Sequence, residues 1–164
     1  MKEMPVPVAA GSRQQSAQAP AFPAQREEQN PRGLGVRFQA GRLYALRAAV
    51  AAHGMRLGLT GAPLGTLLVV ATELATNVIR HGGGEGSLRL YREGEFVACE
   101  VKDRGPGIAN PDMAGSAQVA PTAGEGRGLW IVRQFTSDLR IDSSPSGTTI
   151  TAMLPANRPA EQDA

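Results

Sequence analysis

Glu73 and Asn77 stand four residues apart in the stretch ATELATNVIRHGGG. On a helix that spacing puts both side chains on one stripe, one turn apart. A carboxylate at the rim of a core can act as general base toward a water or a hydroxyl. A carboxamide oxygen one turn away can join the shell of Mg²⁺, which takes oxygen ligands and keeps waters and phosphates around it. The plainer reading is that both residues belong to the solvated side of an amphipathic helix, where most Glu and Asn are found.

Two glycine-rich stretches carry further chemistry. In DRGPGI, Asp103 to Ile108, a carboxylate follows directly on an alternating segment. An ionised carboxylate only accepts hydrogen bonds. Adenine offers an exocyclic amino donor where guanine offers a carbonyl acceptor, so Asp103 at a strand end can choose adenine. Gly105 and Gly107 let the backbone turn and let a ligand come close, although an ordinary Asp-Gly-Pro turn has the same composition. In GEGRGLWIV, Gly124, Gly126 and Gly128 precede a helical pattern. Small residues there leave backbone N–H groups free to meet phosphates at a helix N-terminus, and Arg127 adds a planar, always-charged donor fork. The run lacks the Gly-Lys-Ser/Thr ending of a P-loop and does not open a Rossmann unit; taken alone it also reads as a flexible loop.

The elements that must position these residues follow from periodicity. LGVRF reads as a short strand, and GRLYALRAAVAAHG as a helix with Leu43, Leu46, Val50 and Ala51 on its apolar spacing and Gly54 as its stop. A longer helix is expected from about Pro63 to His81, burying Leu64, Leu67, Leu68, Ala71, Leu74, Ala75 and Val78. SLRLYRE and EFVACEVKD alternate around Gly94 as a hairpin; RGLWIVRQFT is a short helix; DLRIDSSPSGTTITAMLP is a second hairpin turning at Pro145 to Gly147. The fold class implied is an α/β two-layer sandwich with a mixed, mainly antiparallel sheet and helices on one face.

Composition narrows the class. The chain has 164 residues, enough for one domain, and 41% of them are hydrophobic. A net charge of +2 argues against a nucleic-acid surface, and the single cysteine, Cys99, excludes an internal disulfide framework. No apolar run is expected to approach the roughly 20 residues of a membrane span. Residues 1–32, rich in Pro, Gln and Ala, are expected to form a disordered tail before a domain over 33–155, with a frayed end over 156–164. The reading is a cytoplasmic protein with no direct nucleic-acid or membrane partner.

Glu-x-x-x-Asn, Asp-x-Gly-x-Gly, Gly-x-Gly-x-Gly-Leu and a strand Gly-Thr pair occur here in that order. Together, ELATN, DRGPGI, GEGRGL and SGTTI resemble the N, G1 and G2 boxes and closing Gly-Thr of the Bergerat-fold ATPases, the superfamily of gyrase, Hsp90, MutL and sensor histidine kinases. The resemblance covers roughly residues 36 to 155. Sensor histidine kinases usually carry His where Glu73 stands and need a dimerisation domain with a phosphoacceptor His. The other three are much larger. A freestanding domain with TELATNVIRHG looks like the anti-sigma-factor serine/threonine kinases of bacteria.

That resemblance implies ATP and Mg²⁺ as cofactors. It makes Glu73 the catalytic base and Asn77 the Mg²⁺ ligand and an ATP contact. Asp103 would hold the adenine amino group, with Gly105 and Gly107 in the loop beside it. Gly124, Gly126, Arg127, Gly128 and Leu129 would surround the phosphates, and Thr148 would support the adenine end. It implies a sigma factor and an anti-anti-sigma factor as protein partners, with Arg47 on the first helix in partner binding, and a homodimer. Two other functions stay open: a nucleotide-binding module that sequesters a partner without phosphorylating it, and a kinase that regulates a stress-signalling complex or phosphatase. His81 resembles a His common just after the N box, and is expected to be simply a helix C-terminal residue. The lid, about Asn110 to Ala123, has no Lys or Arg, and Glu125 puts a negative charge beside the phosphate segment.

Overall fold

Period-two alternation builds the sheet. In the computed structural model, which describes residues 33–116 and 127–157, five strands lie in the order β1-β2-β3-β5-β4. They are β1 (Gly33–Gln39), β2 (Glu85–Glu93), β3 (Phe96–Asp103), β4 (Asp138–Ser144) and β5 (Gly147–Pro155). Each of the four neighbouring pairs is antiparallel, so the mainly antiparallel expectation is met throughout these strands. One face of the sheet carries Leu88, Leu90, Val97, Cys99, Val101, Ile150, Ala152 and Leu154, all buried. The other carries Arg89, Glu100, Lys102, Thr149 and Arg140, the pattern of an antiparallel sheet with one face in water. There Arg89 pairs with Glu100 at 3.4 Å and lies over the Tyr91 ring.

Three helices cover the apolar face: α1 (Leu43–Arg56), α2 (Gly61–His81) and α3 (Arg127–Phe135). Packing runs α1 on α2 and α2 on α3, with α2 lying over β2, β3 and β5. Leu67, Val70, Ala71, Leu74, Ala75 and Val78 form the buried stripe of α2. Leu64 and Leu68 of the expected stripe are half-buried at its margin, and Val70 joins it. Fully burying one such leucine contributes on the order of 1.5–3 kcal/mol, so this stripe is the main tie between the layers.

Three expectations are corrected here. Gly54 does not stop α1; it is a buried residue inside it. A Cβ on Gly54 would meet Leu64 Cδ1 at 2.8 Å and Leu67 Cδ2 at 2.9 Å, so the glycine is where α1 crosses close to α2. The stop lies at Gly58, with φ +90°. Its N–H bonds Met55 O at 3.0 Å and the Leu59 N–H bonds Gly54 O at 2.9 Å, a Schellman ending that plants Leu59 in the core. Second, α2 is 21 residues long and holds an 18-residue stretch of mean hydropathy 1.5, long and apolar enough by those measures to span a membrane. Its apolarity has another use, since it packs on the sheet and on both other helices. Third, residues just past the expected end of the domain are engaged: Ala156 N–H bonds Glu95 O at 2.8 Å, and the Asn157 amide bonds Thr60 at the start of α2. The expected tails over 1–32 and 158–164 lie outside the described residues.

Cys99 faces the core on β3, and burial pushes its thiol up to about 12, so it is a packing residue held as the neutral thiol. His53 is the buried polar residue of α1, 6% exposed, and among the described residues its Nε2 has no hydrogen-bond partner.

Candidate functional site

Between α2, the ends of β3 and β5, and α3 lies a cavity of about 380 Å³. Leu74, Val78, Val101, Ile108, Leu129 and Ile150 supply its apolar wall; Asn77, His81, Asp103 and Thr148 supply the polar groups. A mostly apolar pocket with a few fixed polar groups is the form of a small-ligand site.

Asp103 is the last residue of β3, and the chain arranges three glycines around it. A Cβ on Gly82, at the end of α2, would lie 2.7 Å from Asp103 Oδ2. One on Gly147 would lie 2.3 Å from the Asp103 carbonyl oxygen, and one on Gly105 would lie 2.6 Å from Gly82 Cα. Helix end, strand end and hairpin therefore meet at distances that exclude side chains. Asp103 Oδ1 accepts the Gly105 N–H at 2.8 Å and the Thr148 N–H at 3.2 Å. The described residues give Oδ2 no hydrogen-bond partner, so one carboxylate oxygen is held by backbone and the other is left for a donor. Thr148, 5% exposed, shares a hydrogen bond of 2.8 Å with the Ser143 hydroxyl, which also accepts the Ile108 N–H at 2.8 Å. This network fixes the loop after Asp103 onto the β4–β5 hairpin. Gly107, at φ +83°, lies against Ser144, where a Cβ would come within 2.2 Å of its carbonyl oxygen.

The other end of the cavity is formed by α2 and the first turn of α3. A Cβ on Gly128 would lie 2.9 Å from Glu73 Oε2 and 3.1 Å from Asn77 Oδ1. Glu73, Asn77 and the N-terminal turn of α3 are thus brought together, with only a hydrogen atom's space at Gly128 between them. Asn77 lines the cavity, whereas Glu73 sits one turn back at its margin.

The sequence-expected residues divide accordingly. Asn77, Asp103, Gly107, Leu129 and Thr148 line the cavity. Glu73, Gly105 and Gly128 stand directly behind that lining through the close approaches just given. Arg127 is the exposed first residue of α3 and is not among the lining residues. Gly124 and Gly126, with Glu125 and the end of the expected lid, lie outside the described residues. Arg47 is remote on α1; it is exposed, as expected, but its Nη1 donates to Thr72 Oγ1 on α2.

His81 corrects a reading: it is the last residue of α2 and also lines the cavity, one turn beyond Asn77. Sequence reasoning also missed Gly82, Ser143, Ala114 and Gly115. Gly82 had a signal in the three glycines after His81, whose expected part is to leave room at the edge of the site; Ser143 and Ala114 had none, since their roles arise from pairing across the fold.

The family of histidine kinase-like ATPase domains matches this chain over residues 36–154, the whole of the sheet-and-helix unit apart from its first and last few residues. The chain belongs to that family. Among its relatives, the anti-sigma F factor of Bacillus licheniformis is 35% identical over 115 residues, covering 63% of this chain and 77% of the relative. A second sequence of that name, from B. licheniformis strain ATCC 14580, is 35% identical over 114 residues with the same coverage. The solved structure of the RsbU and RsbW domains of Rv1364c from Mycobacterium tuberculosis superposes with a TM-score of 0.59 at 19% identity. That match covers 78% of this chain and spans 33% of the other, and at that identity it shows the fold alone. This member of the family is therefore an anti-sigma-factor-like ATPase domain.

Proposed function

We propose that the chain is an ATP-dependent serine/threonine protein kinase of the cytoplasm that acts as an anti-sigma factor. It would hold a sigma factor and phosphorylate an anti-anti-sigma partner, as a homodimer. One observation carries the reading most: a general-base candidate and an oxygen ligand, Glu73 and Asn77, meet the start of α3 at one end of a cavity whose other end presents Asp103 Oδ2, without a partner among the described residues.

The residues fit a magnesium nucleotide. A purine suits the apolar wall, and its amino group is the donor that Asp103 Oδ2 lacks. Asn77 supplies a neutral oxygen, a hard donor of the kind Mg²⁺ takes, and the Glu73 carboxylate is left for proton transfer. Bound there, Mg²⁺ would neutralise charge on the phosphates and leave the γ-phosphoryl group open to attack.

The chain's own part is positioning and proton transfer. Asp103 and Thr148 fix the adenine end. Gly128, with no side chain, lets the first turn of α3 bring its N–H groups toward the phosphates. The Glu73 carboxylate takes the proton of the attacking Ser or Thr hydroxyl of the partner protein as the oxygen bonds to the γ-phosphorus; ADP leaves with the displaced bond's electrons. Anti-sigma activity is supported by the 35% identity to the anti-sigma F factors, and kinase chemistry by Glu73 itself, which a module that only sequesters would not need.

The deciding experiment incubates the protein with γ-labelled ATP and the proteins that co-purify with it from native cells. Label on a partner Ser or Thr, lost in Glu73→Ala, supports the reading. Tight partner capture with ATP bound and no label would make the protein a sequestering module instead.

A further inference from the structure

The cavity has a further wall that runs on from the last residue of the DRGPGI motif, the segment 108–116. It is tied down at two points. At its start, Ile108 N–H bonds Ser143 Oγ at 2.8 Å. At its end, Arg133 on α3 donates from Nε to the Ala114 carbonyl at 2.7 Å, across a part-buried contact. Directly beside that bond, Gly115, at φ +72°, presses on the α3 backbone: a Cβ there would lie 2.6 Å from both the carbonyl carbon and the oxygen of Leu129. Between the ties the chain makes a single 3-10 turn, Pro111–Met113, held by Met113 N–H to Asn110 O, Ala114 N–H to Pro111 O and Ser116 N–H to Met113 O. Ala114, Gly115 and Leu129 all line the cavity, and Met113 beside them is 68% exposed. Beyond Ile108, which packs on the core, apolar burial does little to hold the wall in place, which leaves the charged hydrogen bond and the glycine contact to hold its far end.

We propose that Arg133 is a positioning residue for the nucleotide: by holding the Ala114 carbonyl it keeps Ala114 and Gly115 against Leu129 and so closes the cavity's fourth side. The proposal rests on the nucleotide reading of the cavity. Arg133 does not touch the ligand space itself; it is not among the lining residues, and it acts through the backbone it holds. A guanidinium donating to a carbonyl in a part-buried contact is a stronger tie than a neutral pair. Its loss frees the wall to move off α3 and leaves the core helices in contact. The effect is on how long a nucleotide stays, and little on the proton transfer at Glu73.

The test uses the full chain and ADP. In wild type, titration gives the ADP affinity, stopped-flow release gives its residence time, and hydrogen exchange without ligand gives the protection of the Met113, Ala114 and Ser116 amides. Arg133→Ala should release ADP about tenfold faster, the scale of losing one charge-assisted hydrogen bond, and should raise exchange at those three amides while β3 and β5 keep theirs. Arg133→Lys, which can still donate to the carbonyl, should recover most of the residence time. Gly115→Ala opens the same wall from the other side and should reproduce the faster release, which keeps the test open if Arg133→Ala does not fold. Wild-type protein that binds no ADP overturns the nucleotide reading and this inference with it. Wild-type binding with release unchanged in Arg133→Ala and Gly115→Ala overturns this inference alone. So does faster exchange with unchanged release, because Arg133 would then be a strut and nothing more.

Discussion

Asp103 and Thr148, far apart in sequence, are joined by a hydrogen bond of 3.2 Å from the Thr148 N–H to Asp103 Oδ1. The same oxygen takes the Gly105 N–H at 2.8 Å. The two carboxylate oxygens therefore have separate duties. Oδ1 holds the loop and the β5 strand to the end of β3, and Oδ2 is the one available to a ligand.

That division makes Asp103→Asn a clean probe. Asparagine keeps an oxygen where Oδ1 accepts its two N–H groups and replaces Oδ2 with an amide donor. The fold should survive with little change in Tm. ATP affinity should fall by roughly tenfold to a hundredfold, the range for a hydrogen bond to a charged group. GTP, which presents an acceptor at that position, should lose less. Calorimetric titration of both nucleotides against both proteins decides it; an unchanged ratio of ATP to GTP affinity removes Asp103 from base selection.

Binding and chemistry should separate at the other end of the cavity. Glu73→Ala should leave ATP affinity near wild type while phosphotransfer falls by roughly two to four orders of magnitude, the usual contribution of a general base. Asn77→Ala should weaken both. Gly128→Ala is the subtler variant. Its new methyl group meets Glu73 Oε2 at 2.9 Å and Asn77 Oδ1 at 3.1 Å, both at the ends of side chains, so the helix can form but the pair must move aside. Transfer should drop well before folding does. Single-turnover transfer beside a thermal melt measures both; wild-type transfer in Gly128→Ala would mean the position of the pair does not matter.

How far the sequence carried these assignments differs by element. The helix Gly61–His81 and the hairpin around Gly94 were legible because their apolar periods, 3.6 and 2, are set by one neighbour each, the core. Gly54 was misread because a glycine late in a helical pattern has two physical causes. It can end the helix through a left-handed conformation, or it can admit a crossing helix, as Leu64 and Leu67 require here. Only the tertiary contact distinguishes them. In the site, Glu73 and Asn77 were readable from a local spacing. The Ser143 to Thr148 bond and the Arg133 to Ala114 bond were not, since each joins residues whose types are ordinary and whose meeting depends on strand register and loop path.

His53 gives the fold a dependence on pH. Burial, and then the neighbouring Arg56 charge, hold its imidazole below the usual value of 6.5, and Nε2 has no partner to stabilise a proton. The unfolded chain therefore binds a proton that the folded chain refuses. Stability from this residue is full above about pH 6.5 and is lost as pH falls from there through the lower folded value. Tm should decline as pH falls below about 6.5, and His53→Leu should flatten that decline, since an apolar group of similar size leaves no buried nitrogen unpaired. Parallel melts of the two proteins measure it; equal slopes would place the pH dependence elsewhere.

Arg47 is the residue proposed for partner recognition, and its contact to Thr72 sharpens the test. Its guanidinium is exposed on α1 yet donates to the Thr72 hydroxyl, which itself donates to the Leu68 carbonyl at 2.6 Å. Thr72 directly precedes Glu73. The fork is thus held over the outer side of the helix that carries the base, with its remaining N–H groups free to meet a carboxylate on a partner. An exposed hydrogen bond contributes little to stability, so Arg47→Ala should shift unfolding by no more than about 1 kcal/mol. Thr72→Val removes the tether and keeps the arginine. If Arg47 recognises the partner from a held position, Arg47→Ala should abolish capture of the co-purifying partner, and Thr72→Val should weaken it by a smaller factor, both with ATP affinity unchanged. If Arg47 serves only to tie α1 to α2, both variants should lower Tm alike and capture should stay at the wild-type level.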